Sequence, residues 1–174
     1  GDLYKVENKF AELNSVRILI NYITDIYLRN FENIIELGAG TGHHILEISE
    51  ILKNHPTFYA LDWSEATQMI AQKIKENREI ESLYSFKFDF FNPTWDNSIP
   101  TIKEKESVVY SFAALEQIGK EFLNLYKFIK NEIKPKLVIH LEPISELLPK
   151  DQLLTYLSTK YFERRNYLNG YLNF

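Results

Sequence analysis

The stretch "ELGAGTG", Glu36–Gly42, sets glycines 38, 40 and 42 at alternate positions, with a carboxylate two residues before the first. A backbone this bare lets a ligand approach the main chain with no Cβ in the way. The apolar run "NIIEL" precedes it, and "HHILEISEILK" follows with helical spacing through Ile45, Ile48 and Leu52, so the glycines form a strand-to-helix turn. Two nucleotide-binding classes use such a turn. The dinucleotide fingerprint is G-x-G-x-x-G, and here His43 stands where its third glycine would be, too large for close helix–strand packing. The G-K-[ST] of a P-loop is also missing.

Other residues with chemical potential recur at the ends of apolar runs. Asp62 closes "TFYALDW", followed by Trp63. In "YSFKFDFF", Tyr84, Phe86, Phe88 and Phe90 alternate on one face with Asp89 on the other. "SVVYSFAAL" ends near Ser111, with Glu116 just beyond, and "KLVIHLEPI" carries His140 and Glu142. Between these runs lie helical patterns. Phe10, Leu13, Val16, Ile20, Ile23 and Tyr27 recur every three or four positions, an amphipathic helix. Ser64 is placed to cap "EATQMIAQKIKENREI". In "EFLNLYKFIKNEI" the stripe is Phe122, Tyr126, Ile129 and Ile133, stopped by Pro135. Asn92–Lys105, with Pro93 and Pro100, reads as loop with a short helix. Leu153, Leu157, Tyr161 and Leu168 suggest a final aromatic-rich helix. Alternating strands and helices imply a parallel sheet with helices on both faces and right-handed crossovers. Ligands of such sheets sit beyond the carboxyl ends of the strands, where all these polar residues fall.

The bulk numbers narrow the classes. A length of 174 residues suits one domain with one core, and 45% hydrophobic residues make it globular. The net charge of −4 argues against duplex nucleic acid, and the pair Arg164-Arg165 reads as a solvated helix face. No run of about 18 apolar residues spans a membrane, and no signal peptide shows. There is no cysteine, hence no disulfide, thiolate metal site or cysteine nucleophile. A cytoplasmic location is expected. His43 and His44 are adjacent, point apart and cannot form an i, i+4 metal pair, so no metal site is expected.

Residues 36–42 resemble motif I of the class I S-adenosylmethionine-dependent methyltransferases, E/D-x-G-x-G-x-G, in full and in the right place after a strand. The resemblance implies an α/β fold: a Rossmann-like doubly wound sheet of about five parallel strands in the order 3-2-1-4-5, with helices on both faces. It implies S-adenosyl-L-methionine as cofactor and S-adenosyl-L-homocysteine as product, in a site containing Glu36, Gly38, Ala39, Gly40 and Gly42. Asp62 corresponds to the acid on the ribose hydroxyls, and Asp89 to the acid facing the adenine amino group. The Phe90 N–H is then aimed at the ring nitrogen, and Ser111 lies where a carbonyl meets the methionine amino group. Trp63 is placed to stack on adenine. The charges agree. A loop flanked by carboxylates repels pyrophosphate and suits a cationic ligand that donates from hydroxyls. Each acid also has a plainer reading as a helix cap, a lysine partner or a solvated loop residue, and Trp63 as core filler.

The cofactor carries the chemistry, leaving the protein to orient the acceptor and, where the acceptor is protonated, to supply a base. "FNPTW" at 91–95 resembles N-P-P-[YFW] of amino-group methyltransferases, but it follows the third strand and has Thr94 for the second proline. Candidate bases are Glu116, His140 and Glu142, with His140 read rather sooner as a structural histidine than as a catalytic one. In a strand His140 and Glu142 share a face. The family's closing antiparallel hairpin is not found after Ile144. Residues 1–174 are read as a single domain, with an N-terminal helical segment at 1–30 and an aromatic-rich helix at 151–174. That last segment is expected to pack against a second copy, a homodimer, or sequence beyond this chain, or else to fold back over its own sheet. The function expected is methyl transfer to a small molecule, a sugar or glycan hydroxyl among the candidates. The alternatives are a methyltransferase-like module serving a partner and an NAD-type oxidoreductase.

Overall fold

The computed structural model describes residues 10–78, 80, 82–94, 102, 106–149 and 151–173. Most of the predicted loop at 92–105, with Trp95, lies outside them. Five strands form one sheet: β1 (Asn33–Leu37), β2 (Thr57–Asp62), β3 (Leu83–Lys87), β4 (Ser107–Phe112) and β5 (Leu137–Leu141). The order is β3-β2-β1-β4-β5 and every pairing is parallel, as expected from the sequence. Helices α1 (Ala11–Ile23), α2 (His43–Ile51), α3 (Glu65–Arg78), α4 (Leu123–Phe128) and α5 (Leu153–Arg165) complete it. Among the described residues no strand follows β5.

Side chains alternate across the sheet, so each strand feeds two cores. Ile34, Phe58, Ala60 and Val108 face one cluster with Ile20, Ile45, Ile48 and Ile74 of α1, α2 and α3. Ile35, Leu37, Tyr59, Leu61 and Val109 face a second with Leu125 and Phe128 of α4. Phe88 joins this second cluster, with Tyr84, Phe86 and Phe90 packed against it. Every residue of β1 is buried. The register aligns Leu37 with Leu61 and with Ser111, and Ser111 with His140. The strands therefore end along one edge.

The first helix corrects one expectation. Val16, Ile20 and Ile23 pack inward, but Phe10, Leu13 and Tyr27 are exposed. α1 runs on as a π-turn over Thr24–Leu28, whose wider turn advances the phase and buries Thr24 and Leu28.

The C-terminal segment divides. α5 exposes Leu153, Leu154, Tyr156, Leu157 and Tyr161. Beyond it the chain returns to the second core. Leu168 is buried, its N–H donates to the Glu116 carbonyl at 2.9 Å, and the Tyr171 and Tyr126 hydroxyls meet at 2.7 Å. The Asn169 N–H donates to the Gly119 carbonyl at 3.3 Å. Leu168→Ala should therefore lower the unfolding free energy by about 2–5 kcal/mol in denaturant titration. A change within ~0.5 kcal/mol, typical of a surface site, would show that this tail does not pack as described.

Candidate functional site

At the carboxyl edge of the sheet lies a cavity of about 590 Å³. Its floor is the glycine turn. The Gly38 N–H donates to the Leu61 carbonyl at 2.7 Å, which pins the turn to the end of β2. Gly38 has φ +74°, and a Cβ there would lie 2.4 Å from Ala114 Cβ. Gly42 has φ +70°, and its Cβ would meet Ile74 at 2.9 Å, so it serves helix packing. Gly40 differs. Its missing Cβ would have only the Gly38 carbonyl oxygen, at 4.0 Å, as neighbour. Gly38 and Gly40 both line the cavity.

Asp62 closes the rim. Its Oδ2 accepts from the Gly40 N–H at 2.9 Å and its Oδ1 from the Ser64 N–H at 2.8 Å. One carboxylate thus fixes both the glycine turn and the turn into α3, with lone pairs left for hydroxyl donors. Gln68 Nε2 donates to the carbonyls of Asp62 and Phe86, both at 3.2 Å, tying the ends of β2 and β3. Asp89 accepts from the Phe91 N–H at 2.9 Å. Trp63 lines the cavity yet is 75% exposed, an unusual place for a large ring that serves only the core.

The sequence-predicted site residues fall into two groups. Gly38, Gly40, Asp62, Trp63, Asp89 and Phe90 line the cavity. Glu36, Ala39, Gly42 and Ser111 are buried and do not line it. Glu36 Oε1 pairs with His44 Nδ1 at 2.8 Å while Oε2 has no hydrogen-bond partner, and burial pushes its carboxyl up. The nearby Tyr110 hydroxyl is held well above its usual range by burial and by the charge of Glu36. Lys87, Phe91, Ala113, Ala114, Gln117 and Ile118 also line the cavity and were not singled out in the sequence. Their signal was position alone, just past the ends of β3 and β4.

Glu116, His140 and Glu142 do not line the cavity. They gather about Ser111 and the turn that follows β4. Ser111 Oγ donates to Glu142 Oε1 at 2.5 Å and meets His140 Nδ1 at 2.8 Å, so His140 and Glu142 do share a face. Because the serine proton goes to Glu142, Nδ1 carries the histidine proton and the buried Nε2 is left without a partner. Burial pushes the Glu116 carboxyl up, and the charge of Glu142 adds to this. Among the described residues no cluster suited to a metal ion occurs, and no helix is long and apolar enough to cross a membrane.

No family model matches this chain, and no curated protein does. Solved structures do. A putative methyltransferase from Bacillus halodurans aligns at TM-score 0.54 and 15% identity, over 86% of this chain and 58% of that one. Precorrin-6y C5,15-methyltransferase from Geobacter metallireducens aligns at 0.53 and 15%, over 94% and 76%. The plantazolicin methyltransferase BpumL, solved with a pentazolic substrate analog and S-adenosylhomocysteine, aligns at 0.54 and 14%, over 94% and 60%. The chain thus spans less than two thirds of the length of the first and the last of these. Identities this low speak to the fold alone, and the fold is the one that these solved methyltransferases have.

His140 gives the site a pH signature. Burial lowers its pKa from 6.5 to about 4. In the unfolded chain the ring takes a proton below pH 6.5, whereas in the folded chain it stays neutral until about 4. Stability is therefore intact above pH 6.5 and is lost as the pH falls toward 4, by up to about 3 kcal/mol from this one residue. Denaturant unfolding at pH 7 and pH 5 should show a smaller loss for His140→Gln than for the natural chain. Equal losses would mean that the ring is not buried neutral.

Proposed function

We propose that this chain binds S-adenosyl-L-methionine in the cavity and transfers its methyl group to a small molecule. One observation carries the reading. A backbone left bare at Gly40 shares a cavity with two carboxylates, Asp62 and Asp89, and an exposed Trp63. Among the described residues the one lysine on the lining, Lys87, pairs with Glu65 at 3.2 Å, so this lining offers little to a phosphate. The donor set fits a cationic ligand bearing hydroxyls and a flat ring, and disfavours the pyrophosphate of a nicotinamide dinucleotide.

In this reading Asp62 accepts the ribose hydroxyls while keeping its bonds to Gly40 and Ser64. Trp63 covers the adenine, with Asp89 and the Phe90 backbone at its edge. The cofactor supplies an electrophilic methyl, and the protein's task is to hold the acceptor in line with it and keep water out. The apolar rings of Phe88, Phe90 and Phe91 serve that exclusion. We further propose that the described segments act as one domain, and that the acceptor is a metabolite, a sugar or glycan hydroxyl being one class. A second reading, a cofactor-binding module without turnover, draws support from the position of Glu116, His140 and Glu142 off the cavity lining. Incubation with labelled cofactor and an acceptor panel separates the two. Product from any acceptor removes the second reading.

Calorimetry with S-adenosylhomocysteine tests the cofactor site. Gly40→Val should abolish binding, because Gly40 lines the cavity, and should lower the melting transition without abolishing it, because φ there is +51° and a β-branched residue is strained. Unchanged affinity would remove the glycine turn from the site. Asp62→Asn should weaken binding by about 1.5–3 kcal/mol, the range for hydrogen bonds to a charged group. A loss of less than roughly tenfold would show that this carboxylate does not hold the ribose.

A further inference from the structure

Off the cavity lining sits a carboxylate that the proposed chemistry does not use. Glu142 follows β5, and its oxygens gather donors from β4 and the turn after it. Oε1 accepts from Ser111 Oγ at 2.5 Å and from the Ala114 N–H at 3.2 Å, and Oε2 accepts from the Glu116 N–H at 3.2 Å. These are a buried serine near the end of β4 and two backbone amides of the turn after it. We infer that Glu142 is a positioning residue: it holds the turn Ala113–Gln117 in the shape that the cofactor cavity requires.

The turn needs holding. Ala113 has φ +48°, a left-handed conformation that a residue with a Cβ rarely adopts. Its N–H donates to the Leu141 carbonyl at 2.9 Å, so the end of β5 grips the turn between the Ser111 and Ala114 contacts of Glu142. Ala113 and Ala114 line the cavity, and Ala114 Cβ lies where a Gly38 side chain would stand. A shift of Ala114 therefore moves directly against the glycine turn. Glutamine could not replace the carboxylate. With one oxygen and one NH₂ group it would set N–H against at least one of the donors that Glu142 now accepts. Among the described residues no cation faces Glu142. The charged or titratable neighbours are Glu116, His140 and Tyr126; burial pushes the Glu142 carboxyl up, and the bonds from Ser111 and the backbone amides oppose that rise.

The inference rests on the cofactor reading above, and the experiment keeps the two apart. Amide hydrogen exchange is measured on the full chain and on Glu142→Gln, with calorimetry against S-adenosylhomocysteine and a thermal melt of each. Exchange at Ala114 and Glu116 should rise at least tenfold while Val109 in β4 stays protected, and affinity should fall at least tenfold. Unchanged exchange at Ala114 and Glu116 overturns the inference whatever the ligand does. Faster exchange with affinity retained overturns it too, since a merely structural residue would move the melt and not the affinity of the folded protein. If the natural chain itself does not bind S-adenosylhomocysteine, the cofactor reading falls and exchange alone judges the clamp. Ser111→Ala removes one donor and keeps the carboxylate. It should speed exchange at the same two amides by a smaller factor, and it decides the matter if Glu142→Gln does not fold.

Discussion

There is no room for a side chain between the glycine turn and the turn after β4. A Cβ on Gly38 would stand 2.4 Å from that of Ala114. That contact joins the two halves of the sheet's carboxyl edge. Gly38 is tied to the end of β2 through the Leu61 carbonyl, and Ala114 to Glu142, one residue past β5. These two turns form part of the cavity lining, which the residues at the ends of β2 and β3 complete. Closeness of this kind makes the site rigid, because neither turn can move without displacing the other.

Much of this architecture is legible in the sequence. β1, β2 and β4 are apolar runs of strand length, bounded by glycines, acids or serine, and strands buried on both faces leave such runs. The glycine turn and Asp62 could be placed because their positions relative to strand ends follow from the parallel register alone. Trp63 followed from its adjacency to Asp62.

Other features depend on distances along the fold that periodicity does not encode. Glu116, His140 and Glu142 lie near the correct edge, and the sequence showed that His140 and Glu142 share a face. It could not show that this face abuts Ser111 rather than the cavity, because that is settled by how β5 packs on β4. The first helix illustrates a different limit. A regular stripe puts Tyr27 inward, but one π-turn rotates Leu28 there instead. The donors and acceptors of a buried serine, histidine and glutamate likewise appear only once the three side chains are in place.

Chain order has a consequence for how this protein comes together. β1, at the centre of the sheet, pairs with β4 across more than 70 positions of sequence, with Leu37 opposite Ser111. Sheets with such distant pairings form slowly, since a large loop must close before the contact rewards it. β1, α2 and β2 emerge from the ribosome early and can dock locally, carrying the glycine turn and Asp62 with them. The wall opposite requires β4, then β5 with Glu142, and finally Leu168, whose N–H meets the Glu116 carbonyl. The cavity is thus assembled in two stages: the side carried by β1, α2 and β2 can form before the side that needs β4, Glu142 and Leu168.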